Sequence, residues 1–159
     1  MIYKLNLELH ENQKKIHSTK ARFVSVKAGK RFGKTKLALY RLVKRAGEYS
    51  GDVFWYLAPS YRQAKSIAWL ELMRLLPREF IKRKLETELM IELMNDSFIH
   101  LIGCDNEDAL RGPQLRAVVF DEYAYMKPYI WSSIVSGQLL GHGKHSFADF
   151  ISSPNKDGM

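Results

Sequence analysis

The stretch Ala28-Gly29-Lys30-Arg31-Phe32-Gly33-Lys34-Thr35 holds the residues best suited to chemistry in this chain. A glycine loop that ends in Gly-Lys-Thr at the mouth of a helix aims several backbone N–H groups and a helix N-terminus at one spot, where a polyphosphate is stabilised. Lys34 is placed to reach the β- and γ-phosphates, and the Thr35 hydroxyl to hold a magnesium ion. The first position of such a loop is normally glycine and here is Ala28. A second chemical pair, Asp121-Glu122, closes the apolar run Ala117-Val118-Val119-Phe120. Two successive carboxylates at a strand end can divide two tasks, Asp121 holding the magnesium shell while Glu122 orients and deprotonates an attacking water. Gly33-Lys34-Thr35 and Asp121-Glu122 are expected to meet across adjoining strand ends around one triphosphate.

The elements needed to position both groups are present in order. Phe23-Val24-Ser25-Val26-Lys27 alternates apolar and polar residues as a short strand does. After the loop, Leu39, Leu42, Val43 and Ala46 fall at helical spacing, with Arg41, Lys44, Arg45 and Glu48 on the opposite face. The near-continuous apolar run 52–58, bounded by Ser50-Gly51 and Pro59, fits a buried parallel strand. A helix from Gln63 to Leu76 stops at Pro77. Leu89, Ile91 and Leu93 then alternate with polar neighbours, and Asn95-Asp96 separates them from a strand over Phe98 to Gly103, which predicts an antiparallel hairpin. Lys127-Pro128 opens a short helix through Val135, and Phe147 to Ile151 forms a last strand. Helices alternating with apolar strands indicate an α/β fold whose mainly parallel sheet carries helices on both faces.

With 159 residues and 46% hydrophobic content, the chain suits one globular domain spanning 1–159. Its net charge of +8 suits a polyanionic partner. The aromatics Trp55, Tyr56, Tyr61 and Trp69 interleave with the basic residues in a way that fits nucleic acid, while most of them are expected in the core. Cys104 is the single cysteine, which excludes an internal disulfide and a cysteine-cluster metal site. The start, Met1-Ile2-Tyr3 onward, lacks an apolar h-region, and nowhere do eighteen apolar residues run together, so a cytoplasmic protein is expected. His142 and His145 form a His-x-x-His in a glycine-bearing stretch without further ligands nearby, and a polar loop is the expectation there.

Taken together, the loop at 28–35, the segment Trp55-Tyr56-Leu57-Ala58-Pro59-Ser60-Tyr61-Arg62-Gln63-Ala64-Lys65, Leu110-Arg111-Gly112, Val118-Val119-Phe120-Asp121-Glu122-Tyr123-Ala124 and Ile151-Ser152-Ser153-Pro154 resemble the ATPase domain of phage terminase large subunits. The resemblance implies a RecA-like P-loop ATPase that uses ATP and Mg2+ to pump double-stranded DNA into a procapsid, working as a ring at the portal protein with a small terminase subunit, in the cytoplasm of an infected bacterium. Carried over by position, Ala28 to Thr35 bind the nucleotide, with Lys34 and Thr35 as phosphate and magnesium ligands. Asp121 becomes the magnesium-associated acid and Glu122 the catalytic base, and Ser152-Ser153-Pro154 matches the coupling motif that senses the γ-phosphate. Gln13 stands where similar ATPases place an adenine-contacting glutamine, the plain alternative being a surface residue on a polar N-terminal helix. Two arginines compete to offset charge on the transferring phosphoryl group: Arg31 within the loop, where the family often has its arginine one position earlier, at Lys30 in this chain, and Arg111, which resembles an arginine that some terminases offer to a neighbouring subunit.

The family continues beyond the coupling motif into the remainder of the ATPase domain and then a nuclease domain. The expectation for this chain is therefore a domain shortened at its C-terminal end, with no nuclease activity. A helicase-like DNA translocase shares the loop and the acidic pair, and a nonhydrolysing module that binds nucleotide or DNA is a third reading.

Overall fold

The computed structural model describes residues 4–154. Met1-Ile2-Tyr3 and residues 155–159, on which the reading of the chain's ends rests, lie outside the described residues. Seven strands form one sheet: β1 (Phe23–Lys27), β2 (Val53–Ala58), β3 (Ile81–Leu85), β4 (Met90–Leu93), β5 (Phe98–Gly103), β6 (Ala117–Asp121) and β7 (Phe147–Ser152). Their order across the sheet is β1-β7-β6-β2-β5-β4-β3. The first five in that order run parallel, and β4 and β3 add an antiparallel edge.

The sheet is covered on both sides because its central strands are apolar at every position. On β2, Phe54, Tyr56 and Ala58 face one core, and Trp55 and Leu57 the other. The first core is closed by α2 (Lys34–Glu48), whose Leu39, Leu42, Val43 and Ala46 are fully buried, and by α3, which runs through Tyr61–Gln63, the π-helical Ala64–Trp69 and Leu70–Leu75. The second core is closed by α4, made of the π-helical Ile130–Val135 and Ser136–Gln138, through Ile130 and Val135, with Leu139 just beyond. Each such leucine, isoleucine or valine side chain removed from water contributes about 1.5–3 kcal/mol. A short α1 (Glu11–His17) precedes the sheet.

Three features depart from the sequence expectation. Arg41 does not lie on the solvent face of α2: its guanidinium is buried and donates to both carboxylate oxygens of Asp149 on β7, at 2.7 and 3.3 Å, and to Ile16 O at 3.0 Å. Full hydrogen bonding is what makes a buried charge tolerable there. Strand β3 carries Lys82, Arg83 and Lys84, whose apolar signal is too thin to predict a strand. It occupies the sheet edge, where charge discourages pairing with another chain. The helix expected from Lys127 to Val135 begins at Ile130 and extends to Gln138.

Candidate active site

The strand order sets the geometry of the site. β1 and β6 are not neighbours, contrary to the expectation of adjoining ends; β7 lies between them. Lys27 pairs with Ser152 and Asp121 with Ile151, so three strands finish level with one another. The loop after β1, the acidic pair at the end of β6 and the serines at the end of β7 therefore share one rim of the sheet, the carboxyl ends where open parallel sheets bind ligands.

Within the loop, Lys30–Phe32 makes a single 3-10 turn and Gly33 takes a left-handed conformation, φ 80° and ψ 42°, immediately before α2. Glycine is needed there, because L side chains rarely adopt that backbone. A Cβ on Gly33 would also lie 2.8 Å from the side-chain nitrogen of Gln13. Gln13 is buried at 4% exposure, which rules out the surface alternative. Its amide donates to Phe32 O and Gly33 O, both at 3.2 Å, while its carbonyl oxygen accepts the His10 N–H at 3.0 Å. The His10 ring caps α1 and also meets Phe32 O at 3.0 Å. The start of α1 thus braces the end of the loop.

Lys34 and Glu122 converge on one hydroxyl. The Lys34 ammonium donates to Ala28 O and, at 3.3 Å, to Ser153 Oγ. Ser153 Oγ in turn donates to Glu122 Oε1 at 3.2 Å. The second Glu122 oxygen, Oε2, is buried with no hydrogen-bond partner. Glu122 itself is a non-glycine residue with φ 52°, a conformation that costs of order 1–3 kcal/mol and is found where side-chain direction matters. Ser152 Oγ accepts the Ala124 N–H at 3.3 Å, fastening β7 to the turn that carries Glu122.

Beside this cluster, the fully buried Tyr56 donates its hydroxyl proton to Asp121 Oδ2. Burial pushes the Asp121 carboxyl above its usual range, opposed by the Tyr56 hydrogen bond. The hydroxyl of Thr35 and the carboxylate of Asp121 are hard oxygen donors of the kind Mg2+ takes, one or two from protein with the remainder from phosphate and water. The residues present therefore fit that ion. Sequence reasoning missed Tyr56, because a tyrosine in a run of apolar strand residues reads as core.

Not every candidate joins the cluster. Arg31 and Arg111 are exposed, and among the described residues no hydrogen bond or ion pair ties either to Lys34, Asp121 or Glu122. Arg111 caps the turn Glu107–Leu110 in the loop leading from β5 to β6. Pro154 follows the cluster as an exposed residue. His142 and His145 lie in the turn Leu140–His145, and among the described residues no group of three or more His, Cys, Asp or Glu side chains could hold a metal.

Comparison with solved structures gives the fold a relative. The large terminase ATPase domain of Thermus phage P74-26 superposes with a TM-score of 0.81 at 24% identity, over 93% of this chain and 66% of that one. The chain has the fold of a phage large-terminase ATPase domain. The large terminase of a second, thermophilic bacteriophage matches with a TM-score of 0.77 at 16% identity, over 93% of this chain and 40% of that one. That second terminase has also been solved with ADP and with ATP-γ-S, and those structures match at 0.68 and 0.69. The UvsW helicase of bacteriophage T4 matches at 0.64 and 16% identity, over 99% of this chain and 57% of that one. The chain thus spans just under two thirds of the Thermus phage domain and a smaller share of the second terminase. No protein-family model and no curated protein sequence matches it. No helix among the described residues is long and apolar enough to cross a membrane.

Proposed function

We propose that this chain is an ATP-hydrolysing motor domain of the large-terminase type. It drives double-stranded DNA into a procapsid in the cytoplasm of the infected host, with a portal protein and a small terminase subunit as partners and a ring of copies as the working form. The observation that carries this reading is the single hydroxyl of Ser153, which joins Lys34 to Glu122 where three strand ends meet.

In this mechanism the N–H groups of the loop and the first turn of α2 cradle the phosphates, and the Lys34 ammonium leaves Ala28 O and Ser153 for the β- and γ-phosphate oxygens. Thr35 and Asp121 would hold Mg2+, which when bound offsets the negative charge of the triphosphate. Glu122 accepts the proton of the attacking water, and the water oxygen bonds to the γ-phosphorus as the bond to the β-phosphate oxygen breaks. Ser153, which touches both Lys34 and Glu122, feels the presence or absence of the terminal phosphate and passes it along β7, as the coupling role of Ser152-Ser153-Pro154 requires. Gln13 stiffens the loop and stands next to the bound nucleotide. Arg31, in the loop of the same subunit, and Arg111, offered to a neighbour, are the two sources of the guanidinium that in related enzymes raises the rate about 10³- to 10⁵-fold.

Duplex DNA is held mainly through its phosphates, so binding tolerates sequence and weakens with salt. The T4 helicase likeness supports a second reading, a translocase that separates strands. Phosphate release measured with blunt duplex and with forked DNA distinguishes the two. The motor reading expects stimulation by intact duplex without strand separation, whereas unwinding of the fork would favour the helicase reading, and bound nucleotide without turnover would contradict both.

A further inference from the structure

Tyr56 occupies the middle of β2, the strand beside β6, and its ring is wholly buried against the α2 side of the sheet. Its hydroxyl is the one polar atom of a side chain otherwise suited to core packing, and a buried hydroxyl without partners is costly. Here it has Asp121 Oδ2, to which it donates. Asp121 and Thr35 stand on different elements, at the end of β6 and in the first turn of α2, and they are the two residues suited to the magnesium ion.

We infer that Tyr56 is the positioning residue of the magnesium site, its hydroxyl holding Asp121 so that this carboxylate keeps an oxygen turned toward the ion. This rests on the nucleotide-hydrolase reading above. A hydroxyl has one proton to give and two lone pairs. Tyr56 gives its proton to Asp121 Oδ2, which leaves Oδ1 for the ion or a water bound to it. That orientation is set within the protein before any ligand arrives, and one buried phenol governs it. Groups that orient a metal ligand from behind in this way typically govern affinity about 10- to 100-fold.

The test compares the parent chain with Tyr56→Phe, which keeps the ring and removes only the hydroxyl. Affinity for a fluorescent ADP is measured in EDTA and then across a Mg2+ titration, alongside thermal melting. The account expects Mg2+-free nucleotide affinity close to the parent's and a half-saturating Mg2+ concentration raised about 10-fold or more. In an Asp121→Asn background the same tyrosine change should shift the Mg2+ requirement far less, because its partner no longer needs orienting. If Tyr56→Phe melts well below the parent, Tyr56→Met supplies a second hydroxyl-free side chain for the same titration. An unchanged Mg2+ requirement in a folded variant, with a parent that responds to Mg2+, overturns the role of Tyr56 and leaves the nucleotide reading intact. A parent chain that binds no nucleotide overturns both.

Discussion

Ser153 Oγ lies 3.2 Å from Glu122 Oε1, and Ser153 is also a partner of the Lys34 ammonium, so the two ends of the candidate site are held by the residue that follows a third strand. Replacing Ser153 by alanine removes both hydrogen bonds without altering the loop. Steady-state phosphate release should fall about 10- to 100-fold, a fraction of what a positioned base contributes, while nucleotide affinity stays near the parent's. Equal losses in affinity and turnover would instead make Ser153 a binding residue.

Gln13 tests whether α1 shapes the loop. In Gln13→Glu, a carboxylate oxygen would face the carbonyls of Phe32 and Gly33 in place of the amide that now donates to both. Losing two hydrogen bonds and gaining repulsion costs roughly 1–3 kcal/mol, so affinity for a fluorescent nucleotide should weaken about tenfold or more. Unaltered affinity would separate α1 from nucleotide binding.

Asp149 anchors the guanidinium of Arg41 in the core and accepts a longer contact from Arg45 at 3.5 Å. Asp149→Ala would leave a buried arginine without its counter-ion, and breaking such a pair from one side costs about 3–5 kcal/mol. Urea unfolding of this variant should show a midpoint far below the parent's, and a loss under about 1 kcal/mol would mean the pair is solvated in solution.

Two histidines give the fold a pH dependence. Burial, and then the nearby Arg41, Arg45 and Lys44, hold His17 below its ordinary value of 6.5, and burial does the same to His100 on β5. The unfolded chain therefore takes up these protons first. Their contribution to stability is complete above about pH 6.5 and is lost as the pH falls from there through the lowered folded values. Melting temperature should decline over that window, and His17→Gln should make the decline shallower. A slope identical to the parent's would exclude His17 as a source.

How much of this was legible in the residues follows from where each signal lives. The loop at 28–35 and the strand end at Asp121-Glu122 are local patterns, and the amphipathic spacing of Leu39, Leu42, Val43 and Ala46 places α2 without help. Strand order is not local, and so the insertion of β7 between β1 and β6, which brings Ser153 to the centre, could not be read from periodicity. Arg41 looks like a surface residue until Asp149 arrives from more than a hundred positions away to neutralise it. Tyr56 is hidden for the converse reason, since its ring satisfies every rule for core and only its hydroxyl has a second use. Strand β3 was invisible because an edge strand needs little apolar surface and gains from charge.

In the proposed mechanism Lys34 and Glu122 serve one triphosphate in different steps. The most direct measurement is ATP turnover and nucleotide affinity in parallel for the parent chain, Lys34→Ala and Glu122→Gln. Removing a base or a phosphate-binding cation of this kind costs about 10²-fold or more in rate. Both variants should lose phosphate release to that extent, Glu122→Gln should still bind ATP as the parent does, and Lys34→Ala should bind it much more weakly. Turnover that survives either substitution at the parent's rate would contradict this mechanism.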